Sequence, residues 1–118
     1  MISSSEGYRG RSTGSRVRIE PVHWDGHGRV AVIGEVDLSN VRDVEAALSY
    51  LAVSGQALTL DLVGLSYLDS QGVSMLFRLE QRARRSGGSL TLANPQNLVR
   101  HVIEITHLED AVAIIHDV

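Results

Sequence analysis

Between Ala57 and Leu79 the spacing of apolar residues changes period, and that change limits the chain to folds in which a strand feeds into a helix. In Ala57–Val63 (ALTLDLV), Leu58, Leu60 and Leu62 alternate with Thr59 and Asp61. That period of two turns one face of a strand toward a core. From Ser70 to Arg85 the apolar positions are Val73, Leu76, Leu79 and Ala83. Steps of three and four predict a helix with one buried stripe. A short connection joins the two, and Asp69-Ser70-Gln71-Gly72 opens the helix. Arg78, Arg82, Arg84 and Arg85 fall on its outer side or near its end, where positive charge suits the helix dipole. Gly87-Gly88 stops it.

The same switching of period runs through the rest of the chain. Residues 1–15 are rich in Ser, Gly and Arg and offer almost nothing to bury, so they are expected to form a disordered tail. Residues 16–118 then make one domain. Arg16–Trp24 reads as a strand, and Pro21 within it argues for a sheet edge. Asp25–Gly28 is a turn signal, and Arg29–Val36 is a second strand that forms a hairpin with the first. Asp37, Leu38, Ser39 and Asn40 follow as the approach to a helix whose stripe is Val41, Val44, Ala47, Leu48 and Leu51. After the second helix, Ser89–Ala93 is a fourth strand. Asn94-Pro95 is expected to start a third helix with Pro near its first position. Leu98, Val102 and Ile105 are expected to face the core, and Ala111–Ile115 closes the chain as a fifth strand. The order β-β-α-β-α-β-α-β predicts an α/β fold: a mixed sheet of about five strands with amphipathic helices packed on it.

Composition removes whole classes of function. The net charge of −3 is mild and mixed, which argues against nucleic acid or an anionic membrane as the main partner. There is no cysteine, so disulfides, thiolate catalysis and Cys-zinc sites are excluded. Every basic residue is Arg, which removes Schiff-base and P-loop lysines. No apolar run approaches the ~20 residues of a membrane span, and the first residues lack the apolar centre of a signal peptide. A cytoplasmic location is expected.

The polar residues offer few constellations. His23, His27, His101, His107 and His116 show no i,i+4 pair on a helix and no HExxH, so no metal site is expected. GxSxG and GxGxxG are absent, and no histidine stands where it could build a pocket around Ser70, so an enzyme is not expected and no cofactor is implied. Asp61 reads as a solvated or hydrogen-bonded residue. Glu35 and Asp37 end a strand before a helix, where Asp37 is either part of a cap or part of a binding edge. Asp69 and Ser70 have the same two readings. As caps they are ordinary; as an exposed hydroxyl beside a carboxylate they could serve as a switch.

The stretch LTLDLVGLSYLDSQGVSML resembles the signature of the STAS domain family, which includes the bacterial anti-sigma factor antagonists. In that family a hydrophobic strand with an Asp leads through a short link to Asp-Ser-Ser-Gly and a helix. Gly34-Glu35-Val36-Asp37 is similar to the family's Gly-Glu-Leu-Asp, and Asn94-Pro95 through Leu108 to its third helix and following turn. The resemblance covers residues 16–118 and implies that Ser70 is phosphorylated by an anti-sigma factor serine kinase. The unmodified antagonist binds that kinase and frees the sigma factor; a PP2C-type phosphatase restores it. The implied docking surface is Asp37, Leu38, Ser39 and Asn40 together with Asp69, Ser70, Gln71, Gly72 and Val73. Gln71 stands where the family has its second Ser. A STAS module that serves another partner-switching or scaffold pathway is the alternative.

Overall fold

The computed structural model describes residues 16–24 and 28–118. The expected tail and, apart from Gly28, the expected hairpin turn lie outside them. The elements are β1 (Val17–Trp24), β2 (Gly28–Val36), α1 (Val41–Ala52), β3 (Ala57–Asp61), β4 (Leu65–Leu68), α2 (Ser70–Arg85), β5 (Ser89–Ala93), α3 (Asn97–Ile105), a 3₁₀ turn (Leu108–Asp110) and β6 (Ala113–Ile115). The sheet has six strands in the order β1-β2-β3-β5-β6, with β4 also paired to β2. Only β1 runs antiparallel to its neighbour; β3, β4, β5 and β6 all pair in parallel. The expected α/β class with a mixed sheet is what the chain adopts.

One face of this sheet makes the core. Val17 and Ile19, Val30 and Val32, Leu58 and Leu60, and Leu90 and Leu92 are all buried from their four strands. Alternation dictates the other face: Ala31, Thr59, Asp61 and Thr91 are half-buried. The apolar stripes of α1 (Val41, Val44, Ala47, Leu48) and α2 (Val73, Leu76, Leu79, Ala83) complete the same cluster. Across the outside of these helices Glu45 accepts from Arg78 Nε at 2.9 Å and Nη2 at 2.7 Å, a fork that draws the Glu45 carboxyl below its ordinary range. α2 stops as expected. Gly87, at φ +89°, occupies the left-handed position, and the Gly88 N–H reaches back to the Ala83 carbonyl at 2.8 Å.

Pro21 sits on an edge strand, and the β1–β2 register slips between Pro21 and His23, since proline cannot donate to the ladder. Three expectations need correction. The connection between the third strand and the second helix contains a strand of its own. β3 stops at Asp61, whose Oδ1 accepts the Val63 N–H at 3.0 Å, and the Leu65 N–H turns back to the Leu62 carbonyl. The chain then resumes beside β2 as β4. The third helix starts at Asn97 with Gln96 as its cap, two residues beyond the expected place of Pro95. Its phase differs too: Val99 and Ile103 are buried, whereas Leu98 and Ile105 are 48% and 62% exposed. The last strand begins at Ala113 because Leu108–Asp110 forms a 3₁₀ turn that buries Leu108.

Candidate functional site

β2 and β4 end side by side, with Val36 opposite Leu68. Each then leads toward a helix, so the Asp37–Asn40 loop and the start of α2 meet at one end of the sheet. It is the carboxyl end of these parallel strands, the end at which open α/β sheets bind their ligands.

Asp69 ties the two segments together. It is the N-cap of α2 in extended conformation, and its Oδ1 accepts the Gln71 N–H at 2.9 Å and the Gly72 N–H at 3.0 Å. Its Oδ2 accepts the Leu38 N–H at 3.1 Å from the neighbouring loop. One carboxylate thus caps a helix and pins a second loop. The loop is also closed on itself. Asp37 Oδ1 accepts the Ser39 N–H at 2.9 Å and the Ser39 hydroxyl at 2.6 Å, which holds the Asp37 carboxyl below its ordinary range. Asn40, almost fully buried, accepts the Asp37 N–H through Oδ1 and donates Nδ2 to the Glu35 carbonyl at 2.9 Å. Asp37 therefore belongs to the closed turn before α1, and its main-chain carbonyl receives the Asn40 and Val41 N–H groups.

Gly72 lets α2 approach this closely. A Cβ there would lie 2.3 Å from Leu68 Cδ1 and 3.2 Å from Val36 Cγ1, so any larger residue would require the buried Leu68 side chain or the first turn of α2 to shift.

Of the residues expected at a docking surface, Leu38, Ser39, Ser70 and Gln71 are exposed, Asp37 and Asp69 are half-buried, and Asn40, Gly72 and Val73 are buried. The last three lie beneath the exposed four. Leu38 is 72% exposed, an apolar side chain held outward on a pinned backbone. Ser70 is the first residue of α2, and its cap is Asp69. Of the two capping candidates, the aspartate has taken the amides, which leaves the serine side chain free of that task. The tie from Asp69 to Leu38 was not foreseen from sequence, because it needs β4 to bring residues 31 positions apart together.

Among the described residues no group of three or more His, Cys, Asp or Glu side chains could hold a metal ion. Among them also, no helix is long and apolar enough to cross a membrane. His101, His107 and His116 are exposed, and His107 Nδ1 lies 3.5 Å from Asp110 Oδ2 at the surface.

Comparison with known proteins agrees with this architecture. A family model described as "Mlab, STAS domain" matches residues 21–116. The anti-sigma-B factor antagonist of Bacillus subtilis is 30% identical over 86 residues, 73% of this chain and 79% of that protein. A crystal structure of an anti-sigma factor antagonist from Mycobacterium paratuberculosis superposes with a TM-score of 0.74 at 22% identity, covering 84% of this chain and 85% of that one. The anti-sigma factor antagonist SpoIIAA in its unphosphorylated form gives 0.71 at 20% identity, covering 85% and 88%. SpoIIAA of Bacillus in its phosphorylated form gives 0.65 at 20%, covering 86% and 91%.

Proposed function

The chain belongs to the STAS domain family, and from that premise we propose that it is an anti-sigma factor antagonist whose docking to an anti-sigma factor serine kinase is switched off by phosphorylation of Ser70. The observation that carries this reading is the exposed Ser70 side chain at the first position of α2, beside a carboxylate that already caps the helix. A kinase needs an accessible hydroxyl, and Ser70 offers one. That the similar fold of SpoIIAA exists in phosphorylated and unphosphorylated forms supports the same reading. The relatives with this architecture are regulators, so the chain acts here as substrate and binding module rather than as an enzyme. Its setting in this reading is the cytoplasm, where an ATP-dependent kinase partner would act.

The charge arithmetic indicates where such a switch acts. A phosphate adds about −1.5 to −2 charges. The α2 N-terminus attracts it by ~0.3–1 kcal/mol, and Asp69, about 5 Å away in water, repels it by roughly 1–2 kcal/mol. The backbone amides that could have held a phosphate at Gln71 and Gly72 are already taken by Asp69. Inside the free domain the effects nearly cancel and the fold persists. In an interface, burying an unpaired dianion costs several kcal/mol. A penalty of ~4 kcal/mol weakens binding about a thousandfold. The switch therefore works at the docked surface of Leu38, Ser39, Ser70 and Gln71, and a PP2C-type phosphatase resets it.

The experiment is capture of partners on the immobilised chain, followed by incubation of any captured ATP-binding kinase with ATP and mapping of the modified residue. A single phosphate on Ser70, with loss of binding and an unchanged circular dichroism spectrum, is expected. Stoichiometric phosphorylation of the Ser70→Ala variant would refute the assignment. A STAS module serving another pathway is the second reading. It is favoured by Gln71 at the position of the family's second Ser, next to the hydroxyl a kinase would address. Capture of a partner without a kinase-type ATP domain would support it.

A further inference from the structure

We propose that Arg29 and Asn94 form a carboxylate-binding site on the sheet face opposite the core, filled in cis by Asp117, which latches the segment after β6 across the ends of β3 and β5. This inference is independent of the Ser70 reading. Arg29 donates Nη1 to Asp117 Oδ2 at 2.8 Å and Nη2 to Asp117 Oδ1 at 2.9 Å, the two-pronged geometry that a planar guanidinium offers a carboxylate. Asn94 Nδ2 donates to the same Oδ1 at 2.9 Å, and Asn94 Oδ1 accepts the Asp117 N–H at 2.8 Å. Both carboxylate oxygens and the adjacent amide are thereby engaged.

The receiving groups are built into the fold, while the carboxylate is its most exposed part. Arg29 stands on β2 and is oriented by Asp61 of β3, whose Oδ2 accepts Nε at 3.3 Å and Nη2 at 3.0 Å. Asn94 follows β5, is 1% exposed, and is held at φ +60° while its N–H donates to the Ile115 carbonyl at 2.8 Å. The Arg29 side chain is 23% exposed and that of Asp117 43%. Charge balance alone does not call for Asp117, because Asp61 already offsets Arg29. Removing Asp117 leaves the buried Asn94 amide and two guanidinium nitrogens facing an empty carboxylate position, and buried polar groups are almost always paired. The ligand class is a carboxylate, either free or borne on an extended segment leaving β5 as β6 does. Arg29 holds the Asp117 carboxyl down to about 2, with Asn94 adding to the effect, so the occupant is ionised near neutral pH.

The test is chemical rescue of Asp117→Ala, with Asp117→Asn as a second variant, followed by thermal melting at pH 7. Sodium acetate is compared with sodium chloride at equal ionic strength. A capped peptide Ile-Ile-His-Asp-Val is compared with its Asp-to-Asn form. Both variants are expected to melt several degrees below the parent. Acetate, but not chloride, should raise the Tm of Asp117→Ala, with half-effect on the order of tens of millimolar, and should not move Asp117→Asn, whose carboxamide still fills the position. It should leave the Arg29→Ala/Asp117→Ala double variant unmoved. A response to the Asp peptide at lower concentration assigns the site to strand-borne carboxylates; a response to acetate without that advantage assigns it to free ones. Equal effects of acetate and chloride, or an Asp117→Ala variant that melts with the parent, would overturn the proposal.

Discussion

Asp69 carries two jobs on one carboxylate, and substitutions there should separate them. Asp69→Ala removes the cap on the Gln71 and Gly72 amides as well as the tie to the Leu38 amide. A lost cap costs ~1 kcal/mol, and freeing the loop adds to it, so a loss of roughly 1–2 kcal/mol is expected in urea denaturation. Asp69→Ser keeps the cap but is too short to reach Leu38, and should recover most of that loss while leaving faster amide exchange at Leu38. Equal exchange at Leu38 in the parent and in Asp69→Ser would show that the tie is idle. Ser70→Ala makes a contrasting pair: its side chain is exposed, so stability should stay within ~0.5 kcal/mol. Gly72→Ala should cost ~1–3 kcal/mol, because the added methyl meets Leu68 at 2.3 Å within a buried contact. At this scale the sequence was informative wherever the signal is local. An Asp and a Ser before an apolar stripe announce a helix start. Which of them caps, and that the capping residue also holds Leu38, depends on a contact between distant segments, and no local pattern reports it.

Helix α3 illustrates what periodicity alone leaves open. Apolar residues stand at 98, 99, 102, 103 and 105, an arc wide enough to accept more than one buried centre. The expected stripe was Leu98, Val102 and Ile105, but packing against β4 and the 3₁₀ turn selects Val99 and Ile103. Ile103→Ala should therefore cost ~2–5 kcal/mol, whereas Ile105→Ala, at an exposed position, should stay within ~0.5 kcal/mol. Denaturation of the two variants side by side decides between the phases, and a larger loss at Ile105 would restore the sequence-based one. β4 was missed for a related reason. Four residues, Leu65–Leu68, read as a connection because β3 and β4 share β2 as a partner, and a bend at Leu62–Gly64 separates them. β2, β3, β5 and α2 were legible to within a residue or two, since the period of each runs unbroken along the element and fixes both type and phase.

Across the whole molecule, carboxylates that accept from arginine or from a tight turn make acid the condition that should weaken the fold. Asp117 is held down to about 2, chiefly by its bonds to Arg29 and then by Asn94. Glu45 is lowered chiefly by Arg78, and Asp37 chiefly by the Ser39 hydroxyl. In the unfolded chain these groups return to ordinary values of about 4. The unfolded state then binds more protons than the folded state on the acid side of that value, so stability falls as pH falls. The contribution is fully present above pH ~4–5, declines below it, and is gone once the folded-state values are passed. Urea denaturation at pH 7, 4 and 3 should show a progressive decrease in the midpoint. Arg78→Ala should flatten the part that belongs to Glu45 and leave the part that belongs to Asp117. Added salt should blunt the effect at both the Glu45–Arg78 and the Asp117–Arg29 pairs, because each has one partner, Arg78 at 46% and Asp117 at 43% exposure, that solvent ions reach and screen. A midpoint that holds steady from pH 7 to 3 would mean that these ion pairs, although well formed, add nothing to the balance between folded and unfolded chain.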